Sequence, residues 1–123
     1  TTAECRALLD EVHDGVRIDG VMVGRAAYQT PWMLSEVDSV LYGESCRTLT
    51  REAVIAAVEA EVEQYYAADE HVTRAFARHL NGLCQGFSGA RVWRRTLADP
   101  KIIKAEGPNL YRRAWREAFG TDF

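Results

Sequence analysis

The stretch DGVMVGRAAYQTPW, Asp19 to Trp32, constrains this chain more than any other. Residues Gly20 to Gly24 are apolar on both alternating faces, which predicts a strand inside a parallel sheet covered on both sides. The pair Gly24 and Arg25 then predicts a turn into a helix. Little else in the chain reads as strand, so the sheet that would hold this segment has few candidate members.

The remaining pattern is helical. Residues 3–12 place Leu8, Leu9 and Val12 on one side, and HDGVRID reads as a turn. Thr30 and Pro31 form a cap and first helical position for a helix that reaches Leu41 and stops at Gly43. Thr50 opens a long helix carrying Val54, Ile55, Val58, Val62 and Tyr65, which ADEH breaks. A further helix carries Val72, Phe76, Leu80 and Leu83, and QGFSG ends it. Ser88 is placed to cap another, through Val92, Trp93 and Leu97 to Pro100. Pro108 opens the last, with Tyr111, Ala114, Trp115, Ala118 and Phe119 along one side. The predicted fold class is mainly α: a small helical bundle preceded by one helix and one strand. Trp93 and Trp115 read as core anchors on this helix-face pattern.

At 123 residues the chain suits one small domain. No run approaches the roughly 20 apolar residues of a membrane span. The opening TTAECRALLDEV carries no initiator Met and begins on a helical pattern, so an upstream start is expected. Cys5, Cys46 and Cys84 are odd in number and far apart, which argues against a disulfide framework or a metal site and for a reducing compartment. His13, His71 and His79 have no partner set that would make a metal or nucleophile site; His79 is expected to fill a polar core position or to touch a ligand.

Charge is divided along the chain. The formal net charge of −3 separates into −9 over residues 1–70 and +6 over residues 71–123. A basic half invites a polyanion. Arg91, Arg94 and Arg95 are spaced i, i+3 and i+4, so one helical turn presents all three, and guanidinium groups suit both phosphates and bases. The competing reading is a solvated face neutralised by Glu-rich neighbours. A strand running through glycine into a helix start, as at Gly24 and Arg25, is likewise either a phosphate site or an ordinary tight turn.

Two motifs favour the functional readings. DGVMVGRAAYQTPWMLSEVD resembles the last barrel strand and following helix of tRNA-dihydrouridine synthases, particularly the A-type subfamily. ARHLNGLCQGFSGARVWRRTLAD, Ala77 to Asp99, resembles the helical-domain signature of the same family. The order and the separation of about fifty residues also match. The resemblance covers roughly residues 1–99, and the segment from Pro100 onward looks like a lineage-specific extension.

The family it resembles carries FMN in a (β/α)8 barrel, reduces a flipped-out uracil of tRNA by hydride transfer, and uses NADPH to recharge the flavin. The resemblance implies three segments: residues 1–43 as a terminal β/α unit left from the FMN barrel, residues 44–99 as a helical tRNA-binding domain, and residues 100–123 as a helical extension. It implies that Gly24 and Arg25 contact the FMN phosphate. It also implies that Arg91 and Arg94 read the tRNA, with Arg95 and Arg78 beside them. The family's proton-donating cysteine stands in an Asn-x-x-Cys-Pro context that none of Cys5, Cys46 and Cys84 shares, and a full barrel needs about 200 to 250 residues. No catalytic residue is therefore assigned, and the chain alone is expected neither to hold FMN nor to reduce uridine.

Three readings follow: the C-terminal tRNA-binding portion of such an enzyme, a non-catalytic descendant serving as a structural or RNA-binding subunit, or an unrelated helical module in which Gly20 to Gly24 is buried helix. In the second, a partner chain would cover Gly20 to Gly24 and the C-terminal helix. The expected setting is cytoplasm or an organelle interior.

Overall fold

A computed structural model of the chain describes residues 1–45 and 48–123. Cys46, expected in an inter-helix loop, lies outside the described residues. The chain separates into two compact units, Thr1–Thr48 and Leu49–Phe123, and helix is its main element, as the pattern predicts.

The first unit begins with α1 (Thr2–Asp10), whose start is a reciprocal capping box between Thr1 and Glu4. Val12–His13 (β1) and Val16–Arg17 (β2) then form an antiparallel hairpin, with Val12 opposite Arg17 and His13 opposite Val16. Its turn is Asp14-Gly15, at φ +50° and +78°, the Asp-Gly signature of a two-residue hairpin with positive φ at both centres. A short helix α2 (Arg25–Gln29), a 3-10 turn (Pro31–Glu36) and α3 (Val37–Tyr42) follow. Gly43, at φ +69°, ends α3 where the sequence placed the stop. Thr30 does not cap; its hydroxyl donates back to the Ala26 carbonyl at 2.9 Å. The unit is tied by polar contacts: the buried Thr2 hydroxyl donates to the Met33 carbonyl at 3.0 Å, and Arg6 donates to the Leu41 carbonyl at 3.3 Å.

The expected strand at Gly20 to Gly24 is not formed. Among the described residues the only sheet is the two-stranded hairpin, so residues 20–24 have no neighbouring strand to take their N–H and C=O groups. Met22 is 88% exposed. Among the described residues of this unit, no apolar side chain is fully buried.

The second unit holds the core. Thr50 caps α4 (Arg51–Tyr66) by accepting from the Ala53 N–H at 3.1 Å, and α4 buries Ile55 and Val62. The break at ADEH leads to α5 (Val72–Leu80), which buries Thr73, Ala77 and Leu80. This face is turned by one residue from the expected Val72–Phe76 stripe, both of which are only half-buried. α6 (Ala90–Ala98) buries Trp93, Thr96 and Leu97. Its N-cap is Gly89, without a side-chain cap, rather than Ser88.

The unforeseen helix α7 (Pro100–Glu106) starts where Asp99 accepts from the Lys101 and Ile102 N–H groups at 2.8 and 3.3 Å. After a 3-10 turn (Gly107–Asn109), α8 (Leu110–Phe119) buries Leu110, Tyr111, Ala114 and Trp115. Trp93 and Trp115 meet edge to face with centroids 6.3 Å apart, and the Trp93 indole donates to the Leu80 carbonyl at 2.9 Å. Both tryptophans are core anchors, as expected.

Candidate nucleic-acid interface

Helix geometry sorts the side chains of α6. At about 100° per residue, Ala90, Trp93, Thr96 and Leu97 fall on one arc and Arg91, Arg94 and Arg95 on the opposite one. The first four are buried and the three arginines exposed. Packing of Trp93 thus fixes the direction in which the arginines project. On α5 the buried Thr73, Ala77 and Leu80 leave Arg74 and Arg78 on the solvent side, four residues apart.

The structure brings part of this set together. Arg74 and Arg78 line a depression with Asn81, Leu97, Ala98 and Ile103, where α5, α6 and α7 converge. Arg95 lines the next depression, with Ala98 and Lys101. Arg78 and Arg95 therefore flank Ala98 from two helices. Arg91 and Arg94 continue the charge along α6, with Arg94 held by the Gln85 side chain at 3.3 Å. Gly24 and Arg25 belong to the first unit.

Ion pairing separates two groups of arginines. Those of α8 are engaged: Arg112 pairs with Glu59 at 2.7 Å, Arg113 with Glu106 and Glu117 at 3.0 and 2.8 Å, and Arg116 with Asp122 at 2.9 Å. Glu59 also accepts from the Arg112 backbone N–H at 3.1 Å. Glu117 accepts from the Thr96 hydroxyl at 2.7 Å, and that bond, with the Arg113 bond, holds its carboxyl below the usual range. By contrast Arg74, Arg78, Arg91, Arg94 and Arg95 form no ion pair among the described residues. Acidic neighbours thus pair the arginines of α8, whereas those of α5 and α6 are solvated, Arg95 close enough to Glu117 to help lower its carboxyl.

At the glycine–arginine turn, Gly24 precedes α2 at φ −90° and its carbonyl accepts from the Ala27 N–H at 3.1 Å. Among the described residues, the Arg25 and Ala26 N–H groups have no backbone acceptor. A Cβ on Gly24 would meet only the Met22 side chain, at 3.6 Å or more. Two open amides beside an exposed guanidinium are the chemistry of an anion site, although α2 is a single turn and its field is correspondingly small.

Other titratable groups have structural surroundings. Burial pushes the Cys84 thiol up to about 11, which keeps it protonated and unreactive. Burial, with the nearby Glu59 carboxylate, also raises Tyr111, whose hydroxyl donates to the Thr73 carbonyl at 2.7 Å. His79 is exposed on α5, not a core residue. Among the described residues no cluster of three or more His, Cys, Asp or Glu is placed to hold a metal, and no helix is long and apolar enough to cross a membrane. Arg74, Lys101 and Lys104 were not singled out in the sequence. The signals were an Arg four residues before Arg78 and an Asp-Pro pair at 99–100, a cap followed by a first-position proline.

Comparison with known proteins identifies the family. The family model described as dihydrouridine synthase matches residues 6–119, a range that includes the segment expected to be an extension. A tRNA-dihydrouridine(20/20a) synthase of Shewanella oneidensis is 47% identical over 102 residues, covering 80% of this chain and 29% of that protein. One from Pseudomonas putida is 38% identical over 111 residues, covering 88% and 30%. One from a Synechocystis species is 34% identical over 97 residues, covering 79% and 29%. The chain thus spans about three-tenths of the length of these curated relatives. No solved structure matches. With its family model matched over nearly the whole sequence, the chain belongs to the dihydrouridine synthase family.

Proposed function

We propose that this chain is the C-terminal, tRNA-binding portion of an FMN-dependent tRNA-dihydrouridine synthase of the A-type subfamily, and that by itself it binds RNA without reducing it. The observation that carries the reading is the division of arginines: those of α8 are ion-paired, whereas those of α5 and α6 face solvent with no ion pair among the described residues. Arg91, Arg94, Arg95 and Arg78 then hold tRNA phosphates and bases. The names of the bacterial relatives suggest uridines 20 and 20a as the targets, and a cytoplasmic setting goes with that reading.

On this reading residues 1–43 are the end of the barrel, 44–99 the helical domain and 100–123 its continuation. At Gly24 and Arg25, the open Arg25 and Ala26 amides and the Arg25 guanidinium would meet one side of the FMN phosphate. FMN, recharged by NADPH, would supply hydride to the uracil ring when bound. The cysteine that gives the proton would come from a loop outside these residues, since Cys5, Cys46 and Cys84 lack its sequence context.

A second reading, a non-catalytic subunit docked on another chain, draws on the first unit. Val12, Val16, Ile18, Met22 and Tyr28 are all at least 46% exposed there. Such apolar exposure calls for a cover, which the barrel remainder would supply on the first reading and a partner chain on the second.

The test is tRNA binding by the 123-residue chain at low and moderate salt, beside an Arg91→Ala/Arg94→Ala variant whose fold is checked by circular dichroism. Binding is expected to weaken steeply with salt, by roughly 0.7 to 0.9 in log–log slope per phosphate contact. The double variant should lose most of it. Equal binding by two folded proteins would overturn the assignment.

A further inference from the structure

Where α4 ends, α5 begins and α7 passes, the second unit has a cleft of ≈ 200 Å³ lined by Tyr66, His71, Arg74, Pro100, Ile103 and Lys104. We propose that this cleft is a nucleotide subsite, taking one unstacked nucleotide of a bound RNA with its base against Tyr66, Pro100 and Ile103 and its phosphate between Arg74 and Lys104. The inference rests on the RNA-binding reading and extends it to residues that the family motifs do not contain.

Three features support it. The lining combines a flat aromatic and apolar wall with cations, the pairing that single-stranded nucleic acid requires. Glu70 also lines the cleft, but it stands in the turn before α5, outside the helix that carries Arg74. Among the described residues neither Arg74 nor Lys104 has an ion pair, with Glu70 or any other acid.

The aromatic wall is also fixed in place. Gly107 sits at φ +51°, and a Cβ there would lie 2.9 Å from the Tyr66 ring, closer than packing allows. Glycine lets the phenol seat directly on the backbone, so the ring is held before any ligand arrives.

Finally, the cleft is continuous with the basic surface. Arg74 and Ile103 line both it and the depression that holds Arg78, so an RNA strand followed along α5 from Arg78 reaches Tyr66 without leaving cationic ground. Chains that bind RNA by sequence or shape commonly stack splayed bases on aromatic side chains while arginines hold the backbone.

The test compares the full chain with three variants: Arg74→Ala/Lys104→Ala, Tyr66→Leu and Arg91→Ala/Arg94→Ala, all verified for helicity. The probes are an oligouridylate of about 12 nucleotides, a duplex RNA of equal charge, and poly-glutamate. The cation variant is expected to bind the oligouridylate roughly tenfold more weakly, with the salt slope reduced by about 0.7 for the one lost single-strand phosphate contact. Tyr66→Leu should weaken the oligouridylate severalfold, leave the duplex within twofold and leave the salt slope unchanged, because stacking carries no counterion release. Should Tyr66→Leu unfold, the cation variant still decides, since Arg74 and Lys104 are exposed.

If Arg91→Ala/Arg94→Ala loses RNA while the cation variant and Tyr66→Leu bind as the parent does, the subsite is wrong and the RNA-binding reading stands. Absence of RNA binding by the parent chain would sink both. Poly-glutamate bound as tightly as the oligouridylate, with the same dependence on Arg74 and Lys104, would also overturn the nucleotide assignment.

Discussion

At the scale of single residues, the most demanding position is Gly89, where α6 meets α8. A Cβ there would lie 2.4 Å from the Ala118 carbonyl oxygen and 2.6 Å from the Phe119 ring. Its φ of −81° suits any residue, so glycine is required by space and not by backbone conformation. Gly89→Ala should therefore destabilise the chain by about 1–3 kcal/mol or more through overpacking, read as a lower urea midpoint at unchanged slope. An unchanged midpoint would show that the two helices part freely. The sequence showed Gly89 only as a residue of a motif. That it admits α8 was invisible, because the neighbour is 29 residues away and nothing local records it. Trp93 was easier to place, since its helical spacing with Leu97 and the arginines on the opposite side both mark it as inward.

Among the elements, α6 and α8 are joined by polar as well as apolar contacts, and this predicts a pH dependence. The Glu117 carboxyl is lowered by its bonds from Thr96 and Arg113. A carboxyl lowered in the folded state contributes stability that is complete above its ordinary value of 4.5 and is lost as pH falls through the lowered one. Stability measured by denaturant titration should thus decline below about pH 4.5, and Glu117→Gln should flatten that part of the profile. An identical acid limb in the variant would assign the effect to other carboxylates. Parts of the helices were legible from caps and periodicity: Thr50 caps α4, Gly43 ends the short α3, and α8 buries Tyr111, Ala114 and Trp115 as read. α5 was rotated by one residue because Thr73 and Ala77, small and ambiguous in polarity, face inward where larger Val72 and Phe76 were favoured. α7 was missed because seven residues give a periodicity too little length to declare itself. The strand reading at 20–24 followed side-chain pattern alone, whereas strands are made by partners. Of the candidate interface, the α6 arginines were legible from spacing, but the gathering of Arg74 and Lys104 around Tyr66 depends on three elements converging.

Across the whole molecule the two units differ in what holds them. All the fully buried apolar side chains among the described residues belong to the second unit, including Ile55, Val62, Trp93, Leu97, Leu110 and Tyr111. Amide hydrogens of residues 1–45 should accordingly exchange within seconds to minutes, and those of α6 and α8 slowest, because protection follows buried apolar contact. Slow exchange in α1 or α3 of the isolated chain would contradict this ordering. The division of the arginines carries a different consequence. The guanidinium groups that brace the second unit sit on α4 and α8, whereas those of α5 and α6 face solvent and, among the described residues, hold no ion pair. Substitutions on the latter faces therefore leave the scaffold's folding energy nearly untouched, within about 0.5 kcal/mol at each exposed site. The chemistry of that surface can be changed residue by residue, with no need to re-engineer the body that displays it.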